Sequence, residues 1–211
     1  MKILITAGPT REPLDPVRYL TNRSSGKMGY AIADAAAAAN HHVTLISGPS
    51  NEEVPDGIDY IPVETAEEMY HAVQNYIGKM DAAIFAAAVS DYRPASIAEQ
   101  KIKKTEDTLT LELVKNPDIL GSARSKFSYQ GVLVGFAAET ENVESNARAK
   151  LMRKQCDLVI ANDVSRKDIG FDSNENELLL VYPQTTESIP KADKHHLAHI
   201  IIEKVTDLQP K

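Results

Sequence analysis

The chain has 211 residues, 43% of them hydrophobic and 25% charged, which is enough apolar surface to offset ordering entropy and excludes a disordered chain. Lys and Arg number 23 against 30 Asp and Glu; a net charge of −7 argues against nonspecific binding to nucleic acid or an anionic membrane. The one cysteine, Cys156, permits no intramolecular disulfide and no thiolate metal cage, and no apolar run reaches signal or membrane-spanning length, so the chain reads as a single cytoplasmic domain over 1–211.

In chain order, Lys2 to Thr6 is a continuous apolar run ended by Ala7-Gly8-Pro9, the pattern of a buried strand. Thr10 to Arg23 follows as a long polar loop, and Ser24 to Gly29 opens a helix through Ala39. Val43–Ser47 and Ile58–Val63 are the next strands. Thr65 and Glu68 form a capping box that starts a helix to about Ile77. Asp81–Val89 is a very apolar fourth strand. Asn116-Pro117 gives a cap and a first-turn proline for a helix to Phe127. Gly131–Ala138, a helix over Asn142–Gln155 and a strand at Leu158–Ala161 complete the alternation.

Apolar strands alternating with helices imply a doubly wound, Rossmann-like parallel sheet of the α/β class. Two segments break the pattern. Leu109, Leu111 and Leu113 alternate within Lys101 to Val114, as in a half-exposed strand, and Leu178 to Pro190 looks like a hairpin. These are antiparallel extensions, one a candidate arm over about 97–114. A terminal helix covers Lys191 to Leu208; His195, His196 and His199 on it read as surface positions rather than a metal site.

Ser24 to Gly29 reads either as a capped helix start with small residues for packing or as an anion site at a helix N-terminus. Arg11, Arg18, Asn22 and Arg23 in the preceding loop tilt the balance toward an anion, because guanidinium forks suit phosphate and carboxylate. No two glycines are separated by a single residue, so the dinucleotide fingerprint is absent, and Gly26-Lys27 is followed by Met28 rather than the Ser or Thr of a nucleoside-triphosphate loop.

The blocks Ile5–Pro13, Asp15–Tyr19, Asn22–Gly29, Ala86–Tyr92, Lys101–Lys104, Lys115–Leu120, Gly135–Thr140 and Ala161–Val164 resemble the phosphopantothenoylcysteine synthetase family, in order, from Met1 to about Val181. The resemblance is to the stand-alone form, without the decarboxylase half that many bacteria fuse upstream. It implies a ligase of coenzyme A biosynthesis that joins 4′-phosphopantothenate to L-cysteine through an acyl-cytidylate, consuming CTP and releasing CMP and pyrophosphate. Mg²⁺ and a homodimer are implied with it. Bacterial members use CTP and eukaryotic relatives ATP, so base choice stays open on these residues. A nicotinamide oxidoreductase and a noncatalytic nucleotide-binding regulator are the competing readings.

The resemblance implies roles for particular positions. Asn22 would convert the acyl-nucleotide to product, with Arg18 at the same step. Lys101 would serve nucleotide activation, leaving Lys103 and Lys104 as solvated edge charges. Phe85, Ala86, Ala87, Asp91, Pro117, Asp118, Ile119, Leu120, Phe136, Lys150 and Lys154 would bind the nucleotide. Lys150 and Lys154 share a helix face by their spacing, Asp91 could accept a ribose hydroxyl, and Phe136 is either a base-stacking or a core aromatic. Gly8, Ser24, Ser25, Gly26 and Gly29 would form the substrate loop with Arg18 and Asn22. No metal ligand is assigned among protein side chains.

Overall fold

A computed structural model describes residues 1–104, 107–165 and 173–209. Its frame is a sheet of eight strands: β1 (Lys2–Ala7), β4 (His42–Ser47), β5 (Asp59–Pro62), β6 (Ala82–Phe85), β9 (Val132–Glu139), β10 (Leu158–Asp163), β11 (Glu175–Val181) and β12 (Thr186–Asp193). Strands β2 (Arg11–Asp15) and β3 (Arg18–Thr21) form one separate hairpin, and β7 (Tyr92–Pro94) and β8 (Leu113–Lys115) another antiparallel pair. The sheet order is β12-β11-β10-β9-β6-β1-β4-β5. All neighbours from β5 to β10 are parallel; β11 and β12 add an antiparallel edge. The chain winds outward from β1 to β5 and then returns to β6 on the other side of β1. That reversal is the topological switch point, where such sheets open a crevice at their carboxyl ends.

Helices cover both faces. Helix α1 (Lys27–Ala38) and the terminal α5 (Lys194–Asp207) pack together on one side, over Ile3, Ile5, Ile84, Val134 and Ile160. Helices α2 (Ala66–Tyr76), α3 (Ile119–Ser125) and α4 (Val143–Lys154) cover the other, over Leu4, Ala83, Leu133 and Val159. This two-sided burial explains why the strands read as unbroken apolar runs. The capping box forms as the spacing predicts: Thr65 Oγ1 accepts from the Glu68 amide at 3.2 Å and Glu68 returns to the Thr65 amide.

The structure departs from the sequence reading in four places. The polar stretch Thr10–Arg23 is not a plain loop but carries the β2–β3 hairpin, anchored by Glu12, whose buried carboxylate accepts the first amide of α2. The fourth strand stops at Phe85; Ala86–Val89 leaves the ladder while its backbone still bonds to Thr6 and Gly8. The cap of α3 is Asp118, not Asn116, because Asp118 Oδ1 accepts the Gly121 amide, whereas the Asn116 side chain is spent on the Ser90 carbonyl. Among the described residues of Lys101–Val114 only the last two join a strand, β8. Leu109 and Leu111 are exposed and pair with no strand among the described residues, so the alternation of Leu109, Leu111 and Leu113 has no sheet behind it there. Residues 105 and 106 of that segment lie outside the described residues.

Candidate functional site

Two cavities open side by side at the carboxyl edge, at the switch point between β1 and β6. The first, about 460 Å³, is bounded by Phe85 at the end of β6, by Asp91, by Pro117 to Leu120 at the start of α3, and by Phe136 of β9 with Lys150 and Lys154 of α4. The second, about 390 Å³, runs from Asn22 through Ser24, Ser25, Gly26 and Gly29 to Ala86–Val89 and on to Asn162. Ala87, Val89, Asp91, Phe136 and Lys150 line both, so they form the wall where a group in one cavity meets a group in the other.

The first cavity is cationic in an acidic protein. Lys115, Lys150, Arg153 and Lys154 line it against Asp91 and Asp118. Lys154 Nζ pairs with Asp118 Oδ2, joining α4 to the cap of α3. Partial burial pushes the Asp118 carboxyl up, but the Lys154 ammonium and the Gly121 amide outweigh it and hold the group below the usual carboxylate range. Lys150 is deeper, and its Nζ donates to the Phe136 carbonyl at 2.5 Å. Burial draws its pKa below the ordinary lysine value, opposed in part by Glu139. A desolvated ammonium is strongly attracted to any anion that reaches it, because water screens it little. Cys156 sits nearby, and burial pushes its thiol up to about 12, which leaves it an inert packing group.

The second cavity owes its shape to glycine. Gly26 caps α1 with φ +86° and has no side chain to cap it, while the Lys27 amide that opens this 12-residue helix donates to Ser25 Oγ at 3.4 Å. At Gly29 a Cβ would lie 2.5 Å from Ala7 Cβ, so only glycine lets α1 pack this closely on β1 and bring its N-terminus to the sheet edge. Asn22 donates Nδ2 to the Ala88 carbonyl at 3.0 Å. An amide nitrogen carries two N–H groups, so this bond fixes the side chain while a second donor stays available at the cavity wall.

The sequence-predicted residues divide. Phe85, Ala87, Asp91, Pro117, Asp118, Ile119, Leu120, Phe136, Lys150 and Lys154 line the first cavity. Ala86 lines only the second, with Asn22, Ser24, Ser25, Gly26 and Gly29. Gly8, Arg18 and Lys101 line neither. Gly8 lies beneath the edge, its carbonyl accepting the Ala88 amide. Arg18 stands elsewhere, bonded to Asp15 and to the carbonyl of Ile102, the residue that follows Lys101. Sequence reasoning missed Lys115, Arg153, Asn162, Asn176 and Lys194 as lining residues. Asn162, at the carboxyl end of a parallel strand, was accessible to the switch-point rule. Lys194 and Asn176 come from the antiparallel edge and the last helix, and no local pattern marks them.

Fold and edge together define a doubly wound α/β domain with a lysine- and arginine-lined cavity at its carboxyl edge. Residues 1–208 match the family model described as DNA/pantothenate metabolism flavoprotein C-terminal domain, and the chain belongs to that family. It is 50% identical over 208 residues to the coenzyme A biosynthesis bifunctional protein CoaBC of Vibrio parahaemolyticus, covering 98% of this chain and 52% of that protein. The corresponding protein of Escherichia coli K12 is 46% identical over 208 residues, with 97% and 51% covered. The chain thus spans about half the length of the curated relatives it matches. The crystal structure of the C-terminal domain of a CoaBC protein superposes with a TM-score of 0.83 at 36% identity, covering 98% of this chain and 94% of that one.

Proposed function

We propose that this domain is a phosphopantothenate–cysteine ligase of coenzyme A biosynthesis, working through an acyl-cytidylate. The observation that carries the reading is the shared wall: two cavities, one read as the nucleotide site and the other as the acid site, meet at one half-buried lysine, Lys150. The domain also aligns along nearly its whole length with about half of each CoaBC protein, whose name places it in that pathway.

The chemistry runs in two displacements. In the first, a carboxylate oxygen of 4′-phosphopantothenate attacks the α-phosphorus of CTP; the bond to the β-phosphate oxygen breaks and pyrophosphate leaves. Carboxylate and triphosphate repel each other in water. The cationic first cavity offsets that repulsion, and Lys150 faces both reactants. In the second, the cysteine amine attacks the acyl carbon, the amine loses a proton, and the acyl–phosphate oxygen bond breaks to release CMP. The free N–H of Asn22 would stabilise the tetrahedral oxyanion, a contribution of about 3 kcal/mol for one such donor. The open N-terminus of α1, with Ser24 and Ser25, suits the phosphate of the pantothenate substrate. Lys101 and Arg18 serve activation and product formation respectively.

Mg²⁺ would ride on the triphosphate and neutralise charge on its oxygens. Of the two carboxylates lining the first cavity, Asp118 is committed to Lys154 and Gly121, which leaves Asp91 as the one that fits a hydrated Mg²⁺ or a ribose hydroxyl.

Arg18 and Lys101 lie outside both cavities, whereas Asn22 lines the second, which supports a site completed by a second copy. Apolar side chains cluster on the same hairpins: Val17, Tyr19, Tyr92, Ile97, Leu111 and Leu113 are all exposed. A homodimer would cover them and bring the segment around 97–114 of one subunit to the cavity of the other. Mixing inactive Asn22→Ala and Lys101→Ala chains then restores activity; no recovery rejects the shared site.

The deciding assay mixes the protein with Mg²⁺, 4′-phosphopantothenate and CTP or ATP. Pyrophosphate is released with CTP, and CMP appears only when cysteine is added. No pyrophosphate with either nucleotide overturns the ligase reading; release with ATP alone overturns the choice of CTP.

A further inference from the structure

We infer that Asp15 is a positioning residue that locks Arg18 and the backbone beside Lys101 into one unit, so that the groups serving the two displacements are placed by a single carboxylate. The inference rests on the ligase reading for its functional half, and on geometry alone for the lock itself.

Asp15 ends β2, and its side chain is fully buried although it is charged. Oδ1 accepts the Val17 amide at 2.9 Å and the Arg18 amide at 3.0 Å, closing the hairpin turn. Oδ2 accepts Arg18 Nε at 3.0 Å, Arg18 Nη2 at 2.5 Å and the Ile102 amide at 3.0 Å. Arg18 Nη2 also donates to the Ile102 carbonyl at 2.7 Å. Both backbone groups of Ile102 are therefore taken by one side-chain pair, which does for this segment what a neighbouring strand would do in a sheet. Ala98 adds a second tie, donating its amide to the Leu14 carbonyl at 3.0 Å.

Every group facing the Asp15 carboxylate is a donor. An isosteric amide at this position would turn its own NH₂ toward N–H groups and leave donors unpaired in a buried place. The hairpin below is itself held to the sheet edge. The Arg11 amide donates to the Glu64 carbonyl, Thr21 Oγ1 to the Thr10 carbonyl and the Ala66 amide to Glu12. Strand β2 thus carries the scaffold contacts to Asp15, and Asp15 bonds to Arg18 and to the residue that follows Lys101.

The test combines amide hydrogen exchange with step-resolved kinetics of Asp15→Asn. In the unmutated protein the Ile102 amide exchanges at least tenfold more slowly than an unstructured amide. In Asp15→Asn that protection is lost, while core amides such as Ile5 and Ile84 exchange as before. Pyrophosphate release and conversion of the acyl-nucleotide both fall tenfold or more in Asp15→Asn. Lys101→Ala impairs chiefly the first step and Arg18→Ala chiefly the second. The inference is overturned if the unmutated Ile102 amide exchanges freely, a measurement that stands even if the variant fails to fold. It is overturned too if Asp15→Asn keeps either rate, or if core and Ile102 amides loosen together, which would mark a role in general stability. A wild-type chain with a protected Ile102 amide and no pyrophosphate release would defeat the ligase reading while leaving the lock intact.

Discussion

The sheet edge and the two hairpins carry functional side chains by different physical means. Residues of the edge stand on strands whose side chains are wholly buried: Ile5, Ile84, Leu133 and Ile160 are completely inaccessible. Position there is a by-product of core packing, and a lining residue such as Phe136 inherits it. The β2–β3 and β7–β8 hairpins bury little. Their apolar side chains point outward, and Arg18 and the Lys101 segment are held by hydrogen bonds to a carboxylate. Packing tolerates no movement but is insensitive to charge; a polar lock is tunable and fails when one partner changes. The difference would suit the proposed site, in which one part is fixed and another meets a second subunit.

The comparison breaks most sharply under substitution for stability. Ile84→Ala removes a fully buried side chain between β1 and β9 and should cost about 2–5 kcal/mol in urea unfolding. Leu111→Ala, on the exposed segment, should change the stability of the separated subunit by no more than about 0.5 kcal/mol. Equal losses at the two positions would abolish the distinction. Next in size is Asn22→Ala. Removal of one donor to an oxyanion lowers the rate by about 100- to 1,000-fold. The loss should fall on product formation, with acyl-nucleotide accumulating and pyrophosphate release retained. Loss of both steps together would place Asn22 in the nucleotide site instead.

What the sequence made legible follows the same division. The strands around Ile3, Val43, Ala82, Val132 and Leu158 are visible because burial on both faces leaves continuous apolar runs, and the Thr65–Glu68 box is visible because capping is local. The β2–β3 hairpin is hidden because Pro13 and Pro16 interrupt any alternation, and because what holds it, Glu12 to α2 and Asp15 to Ile102, are contacts between residues far apart in the chain. Leu109 and Leu111 mislead for the converse reason: alternation reports a surface with two faces, and a partner subunit can supply the covered one as well as a neighbouring strand. Within the site, the cavity-lining residues of α3 and α4 are legible only through the family resemblance. Without it, Lys150 and Lys154 are indistinguishable from a solvated basic stripe. Lys115, on the separate β7–β8 pair, and Lys194, at the start of α5, reach the cavities through tertiary placement that no local pattern marks.

Lys154 should matter less than Asn22, because its partner Asp118 is half exposed and water screens the pair. Lys154→Ala should weaken nucleotide binding about tenfold, as loss of one charge-assisted contact does. Part of that loss comes from the Asp118 carboxylate, left facing the triphosphate without its counter-charge. Lys154→Ala combined with Asp118→Asn should therefore bind nucleotide more tightly than Lys154→Ala alone. A double variant no better than the single would mean that Asp118 does not sense the ligand.

The smallest effect is the pH dependence of the same pair. The Asp118 carboxyl is held below its ordinary value in the folded chain, so folding favours its ionised form. The stabilisation is fully present above the unfolded-state value near pH ~4 and is lost as pH falls through the lower folded-state value. Asn caps helices as well as Asp, so Asp118→Asn removes the charge while keeping the α3 cap. The stability difference between wild type and Asp118→Asn should be constant above about pH 5 and shrink below it. A difference that grows on acidification would mean that burial, which pushes the group up, outweighs the ammonium of Lys154. The α3–α4 junction would then be held by packing, like the rest of the sheet edge, and not by charge.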